Sequence, residues 1–145
     1  MATIRDLLTI KGSEVVSIGK DATVLDAALR MNQHRVGAMV VLEGDRLVGM
    51  FTERDVLRRV VAERRDPATT LVSDVMTTEV VCCTPETSAE EARGSMKNRR
   101  IRHLPVVDSA DKLIGLISIG DLNAHQNTAQ EQTIHLMHEY LYGRV

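Results

Sequence analysis

Two short strings in this chain place a carboxylate three residues after a hydroxyl. They read Gly49-Met50-Phe51-Thr52-Glu53-Arg54-Asp55 and Gly115-Leu116-Ile117-Ser118-Ile119-Gly120-Asp121. Each follows an apolar run with strand character and opens a stretch with helix character. The structural reading is a capping box: the hydroxyl accepts from the third helical N–H and the carboxylate reaches back to the cap. For either string alone that reading is favoured. The chemical reading uses the same geometry. A helix start presents free N–H groups and the positive end of its dipole, which suit a phosphate. The hydroxyl adds a hydrogen bond to the anion. A carboxylate in the first turn cannot hold phosphate, but it accepts from two ribose hydroxyls. Phosphate donors beside a diol acceptor describe a nucleotide.

The elements that must position these groups also occur twice. Val15 to Asp55 aligns with Val80 to Asp121 at an offset of 65 residues, which becomes 66 where Ser109-Ala110 replaces Gly44. Ten of the 41 positions from Val15 to Asp55 are identical, among them Ala27/Ala92, Met31/Met96, Arg35/Arg100, Gly49/Gly115 and Asp55/Asp121. A period this long means two copies of one supersecondary unit. Each copy reads strand, helix, strand, strand, helix. In the first, Val15–Ile18 is extended and Thr23 with Asp26 caps a helix. Val36–Leu42 is a strand buried on both faces, Glu43–Arg46 a turn and Leu47–Phe51 the hairpin partner. A helix then runs from Thr52 to about Arg65. In the second, Val80–Cys83 is extended and Ser88 with Glu91 caps a helix. Ile101–Val107 and Leu113–Ile117 form the hairpin, and Asp121 lies in the first turn of the last repeat helix.

The domain reading is a first repeat with its lead-in over 1–65, a linker and lead-in over 66–79, and a second repeat over 80–127. A C-terminal helix over 128–145 follows, with Ile134, Leu136, Met137, Tyr140 and Leu141 as its less polar side. Neither unit alone buries both faces of so apolar a sheet. The expected class is α/β (α+β): two β-α-β-β-α units packed sheet to sheet about a pseudo-two-fold axis, helices outside. The lead-in segments Ile4–Ser13 and Leu71–Thr78 are expected to join the opposite unit.

Composition limits the partners. The chain has 145 residues, 43% apolar and 26% charged, with a net charge of −2. No global field recruits nucleic acid or an anionic membrane, and three aromatic residues supply almost no stacking platform. No apolar run reaches bilayer length, and the first residues lack a signal-peptide core. Cys82 and Cys83 are adjacent and face opposite ways in a strand, so a reducing cytoplasm is expected in place of a disulfide.

At this point the chain resembles a pair of CBS domains, together called a Bateman module. The resemblance spans about Asp6 to Asn127. It rests on Gln33-His34-Arg35-Val36-Gly37-Ala38-Met39-Val40-Val41, on Arg100-Ile101-Arg102-His103-Leu104-Pro105-Val106-Val107-Asp108, on Val72-Ser73-Asp74-Val75-Met76-Thr77, and on both hydroxyl–acid elements. It implies adenosine-nucleotide binding in the clefts between units, with AMP, ADP, ATP, NAD and S-adenosylmethionine as family ligands. It also implies a disc-like homodimer and a separate effector protein. By position, Asp55 and Asp121 would hold ribose hydroxyls, and Thr52 and Ser118 would meet phosphate. Basic groups would come from Arg35 in one copy and from Arg100, Arg102 and His103 in the other. The adenine slot would be Lys11–Val16, including Ser13, for the Asp121 cleft. For the Asp55 cleft it would be Met76–Val81, including Thr77, Thr78 and Val81.

The copies differ. Arg54 stands where the second copy has Gly120, and a long cation there either clamps phosphate or fills the cleft. Gly120 lets backbone approach a ligand. Gly37-Ala38-Met39 faces Arg102-His103-Leu104 in the alignment, so the Asp121 cleft is expected to be the stronger site. Other candidates are weaker. His135-x-x-His138-Glu139 lacks a third metal ligand, Cys82-Cys83 lacks redox spacing, and Gly19-Lys20 lacks a phosphate-loop pattern. No acid–base dyad is evident, so the expected role is regulatory and not enzymatic. A structural dimerisation unit with vestigial sites is the alternative.

Overall fold

The computed structural model describes residues 2–126. Thr3 opens α1 (Ile4–Lys11) with a reciprocal cap: its hydroxyl accepts from Asp6 N–H, and Asp6 accepts from Thr3 N–H. The first sheet has the order β1-β2-β3, with β1 Ser17–Gly19, β2 Ala38–Glu43 and β3 Arg46–Thr52. Between β1 and β2 runs α2 (Val24–His34), the crossover that parallel strands require. β2 and β3 are antiparallel, pairing Ala38 with Thr52 and Glu43 with Arg46. Gly44 takes a φ of 66° in their turn, where glycine is least strained. α3 (Glu53–Asp55) leads into a π-helical stretch, Val56–Val61, and α4 (Val72–Val75) follows the linker. The second unit has α5 (Ala89–Arg99), then the two-stranded sheet β4 (His103–Val107) and β5 (Leu113–Ser118), then α6 (Ile119–His125).

Three expectations are corrected. The second copy has no first strand over Val80–Cys83; one parallel bridge, Cys83 with Val106, remains. Cys83 N–H donates to Pro105 O at 2.9 Å, and Val107 N–H donates to Cys83 O at 2.9 Å. The next rung back needs the amide of residue 105, and proline has none to give. The first copy has Val40 there, and its ladder runs over three residue pairs. Second, the helix after Thr52 is not regular to Arg65. Its bonds lengthen to i→i+5, as in Ala62 N–H to Leu57 O at 3.0 Å, and Arg64 ends it at a φ of 57°. Third, β1 starts at Ser17, so Val15 and Val16 precede the strand. The expected C-terminal helix and His135, His138 and Glu139 lie outside the described residues.

The lead-ins do cross over. Ile4, Leu7 and Leu8 of α1 lie in one core with Ala92, Met96, Leu104, Val106, Ile117 and Leu122 of the second unit. Val72 and Val75 of α4 lie in the other, with Val24, Ala27, Met31, Met39, Val41 and Phe51 of the first. Each Val, Leu, Ile, Met or Phe side chain buried this fully contributes roughly 1.5–3 kcal/mol of transfer free energy. The repeated glycines make room for this exchange. A Cβ on Gly115 would meet Leu8 Cδ2 at 2.6 Å, and one on Gly49 would meet Met76 Sδ at 2.6 Å and Thr77 O at 2.9 Å. Ala38, Val40 and Met50 form a third cluster with Leu113 and Leu116, joining the two sheets face to face. The hairpin ends close the seam: Leu113 N–H donates to Asp45 O at 3.2 Å, and Leu47 N–H donates to Asp111 O at 3.4 Å.

Candidate functional site

Both hydroxyl–acid elements fold as complete capping boxes. Thr52 Oγ1 accepts from Asp55 N–H at 3.2 Å, and Asp55 Oδ2 accepts from Thr52 N–H at 3.0 Å. Ser118 Oγ accepts from Asp121 N–H at 3.1 Å, and Asp121 Oδ2 accepts from Ser118 N–H at 2.7 Å. The structural reading is thus realised twice. What separates the two acids is the second carboxylate oxygen.

Asp55 is closed. Its side chain is 7% exposed, and Arg59 Nε lies 3.7 Å from Oδ1. Thr77 Oγ1 donates to the same Oδ1 at 3.3 Å. Arg59 also donates to Met76 O at 3.0 Å, tying the α4 lead-in to this acid. Arg59 was missed in the sequence, although its spacing of four from Asp55 on a helix was the available signal. The mouth beside Thr52 carries a further obstacle. Glu53's carboxylate carbon lies 3.1 Å from where a Cβ on Gly37 would stand, and Glu53 N–H donates to Gly37 O at 3.0 Å. The matching pair in the second copy is Ile119 N–H to Arg102 O at 2.9 Å. The first mouth therefore presents an acid where the second has Ile119.

Asp121 is half open. The hydrogen bonds that the described residues make to its carboxylate end on Oδ2: Ser118 N–H, and Lys11 Nζ at 2.6 Å. Among the described residues nothing donates to Oδ1, and the side chain is 26% exposed. Lys11 Nζ donates as well to Leu116 O at 2.6 Å. Burial works to raise the Asp121 pKa, but the Lys11 and Ser118 hydrogen bonds outweigh it and hold it below its usual 3.8. The stability this acid contributes is present above that value and is lost as pH falls through the folded pKa. His103 pairs with Ser118 across β4 and β5. Burial first, then the charges of Lys11 and Arg102, push its pKa below 6.5, with Asp121 opposing. The unfolded chain thus holds more protons on this histidine as pH falls from 6.5 toward the folded pKa, and stability declines over that window.

A neutral imidazole flanked by two cations has a readable consequence. An anion seated beside it restores its basicity, so binding takes up a proton. Affinity for a phosphorylated ligand is expected to rise as pH is lowered from about 8 toward about 6, with the slope abolished in His103→Gln. Titration calorimetry in buffers of different ionisation enthalpy reads the proton uptake directly.

The remaining expected residues divide. Lys11 reaches the Asp121 cleft by its side chain, where a backbone slot was expected. His103 joins it through its register with Ser118, whereas Arg102 is exposed and contributes its backbone carbonyl to Ile119 N–H. Gly120 is exposed, and a Cβ there would meet only Ser118 Oγ, at 3.5 Å. Ser13 is exposed, and Val16 packs its side chain on the first unit's core. In the first cleft only Thr77 joins Thr52 and Asp55. Arg54 and Thr78 are exposed, and Val81 packs on the second unit's core. Arg35 is exposed and serves as the left-handed C-cap of α2, with a φ of 54°. Arg100 does the same for α5, with a φ of 55°. An open cleft of about 190 Å³ lies at the hairpin end of the seam, among Leu47, Val48, Thr78, Val80, Cys82, Val107 and Asp111. It contains neither acid, so the polar convergence at Asp121, and not this cleft, marks the candidate site. Among the described residues no three metal-ligating side chains gather, and no helix is long and apolar enough to cross a membrane. Cys83 is buried, and burial pushes its thiol up to about 12, far from a reactive thiolate.

The family model of the CBS domain matches residues 4–62 and again 72–128. The chain belongs to the CBS domain family. Its CBS-domain relatives include the CBS domain-containing protein YhcV of Bacillus subtilis, 40% identical over 126 residues, which are 87% of this chain and 86% of that one. A putative signal-transduction protein with CBS domains from Burkholderia ambifaria has the same fold, with a TM-score of 0.78 and 38% identity, covering 88% of this chain and 98% of that one. The CBS domain protein PAE2072 from Pyrobaculum aerophilum, solved in complex with AMP, matches with a TM-score of 0.75 and 25% identity, covering 93% of this chain and 98% of that one. Paired CBS units packed through two small sheets are thus the architecture of this chain.

Proposed function

We propose that this CBS pair is a regulatory module that binds an adenosine nucleotide in the cleft at Asp121. The carrying observation is Asp121 Oδ1, to which none of the described residues donates, in an otherwise satisfied cap, with Lys11 on the other oxygen and His103 across the hairpin from Ser118. An uncommitted carboxylate oxygen suits a ribose hydroxyl, and the neighbouring cations suit a phosphate. The AMP complex of PAE2072 supports the same ligand class. AMP, ADP, ATP and NAD all carry the required ribose and phosphate. The reading needs no catalytic residue: the ligand shifts the balance between conformations that it binds unequally, and a cytoplasmic effector protein reads the result. Calorimetry with AMP, ADP, ATP and NAD is the test. Saturable heat from at least one of them, in the micromolar to low-millimolar range (roughly −8 to −4 kcal/mol), is expected. Silence from all four removes the sensor reading.

A dimerisation role is favoured by a separate observation. The first unit exposes Leu25 at 41%, Leu29 at 58%, Leu57 at 62% and Val61 at 61%. Leu25 and Leu29 repeat at helical spacing on α2, and Leu57 and Val61 on the stretch after α3. The matching positions Glu90, Gly94 and Asn123 of the second unit are not large and apolar. The fold therefore does not demand this face, and an isologous contact between first units would cover it. Sedimentation is expected to show a dimer that Leu57→Glu dissociates; a monomeric parent protein would remove this reading.

A further inference from the structure

We infer that Lys11 is a resident competitor for Asp121 that makes the second cleft demand a phosphorylated nucleoside and reject the bare nucleoside. The inference rests on reading Asp121 as the ribose acid. Oδ2 of Asp121 already accepts from Ser118 N–H at 2.7 Å and from Lys11 Nζ at 2.6 Å. A vicinal diol is held most firmly with one hydroxyl on each carboxylate oxygen, so it must claim part of Oδ2. The Ser118 amide is fixed in the backbone, whereas Lys11 ends a flexible four-carbon stem. Lys11 is the group that yields.

The displaced ammonium then needs a new partner. Its side chain is 33% exposed, so it is neither fully hydrated nor indifferent to losing its carboxylate. Burial and the charges of Lys11 and Arg102 depress the basicity of His103, which pairs with Ser118 across the hairpin, so the surroundings of this acid favour an added negative charge. A nucleoside strips Lys11 of its counter-ion and returns nothing. A nucleotide brings the anion that Lys11 and Arg102 then share. The first cleft lacks the device. There Thr77 and Arg59 take the second oxygen of Asp55, and no lysine reaches it. Lys11 is thus a specificity residue of one cleft.

The experiment is calorimetry of the intact protein with AMP and with adenosine, in the parent and in Lys11→Met. The parent is expected to prefer AMP by at least about tenfold. In Lys11→Met, AMP weakens, adenosine tightens, and the ratio collapses severalfold; Lys11→Arg keeps it. Parallel weakening of both ligands would mean that Lys11 only props Asp121, and would overturn the inference, as would an unchanged ratio. If AMP, ADP, ATP and NAD all fail to bind the parent protein, the nucleotide reading itself falls. AMP binding with an unaltered ratio sinks only the role of Lys11. Thermal melts of each variant establish that the protein titrated is folded.

Discussion

Asp121→Ala is expected to lower AMP affinity by at least about 100-fold while leaving the protein folded. Two hydroxyl-to-carboxylate hydrogen bonds are at stake, each worth about 1.5–3 kcal/mol when the acceptor is charged. The folding cost is smaller. One side of the cap on α6 is lost, about 1 kcal/mol, together with a partly exposed ion pair whose value solvent reduces. Calorimetry reads the first effect and urea unfolding the second. Unchanged AMP binding in a folded Asp121→Ala protein would mean that the nucleotide sits elsewhere. The seam cleft beside Cys82 would then be the next place to look.

Asp55→Ala is expected to do the reverse. This carboxylate is almost wholly buried and accepts from the Thr52 amide and the Thr77 hydroxyl, with Arg59 alongside. Its removal leaves the part-buried Thr52 amide and Thr77 hydroxyl without their acceptor and loosens the tie between α4 and the first unit. The expected loss is about 3 kcal/mol, at the upper end for an unpaired buried group. The midpoint of urea unfolding should fall accordingly, while AMP affinity at the other cleft changes little. A parent stoichiometry of two that drops to one in this variant would show the first cleft to be a working site.

Much of this arrangement was legible from residue pattern because it depends on local rules. The repeat in Ala27/Ala92, Met31/Met96 and Gly49/Gly115 marked two equivalent units. The run Val36–Leu42 marked a strand covered on both faces, which implies a second layer. Thr52 and Ser118 marked two helix starts. Most of the unreadable parts depend on partners distant in the chain. Lys11 is 110 residues from Asp121, and only the crossing of α1 onto the second unit brings them together. Glu53 beside Gly37 needed the hairpin register to be known. The missing strand at Val80–Cys83 was recoverable in principle: Pro105 stands where Val40 donates in the first copy, and a missing amide is visible in any alignment of the two. The shift to i→i+5 bonds after Asp55 has no local signature in Val56–Val61 that distinguishes it from an ordinary helix.

The exchange of α1 and α4 makes the two halves a mutual clasp. Neither can be peeled away without stripping a helix from its sibling's sheet, so heat should dissolve both in one step despite their separate cores. A guest tightening its hold at Asp121 therefore braces, through α1, the half that contains no part of its own acid.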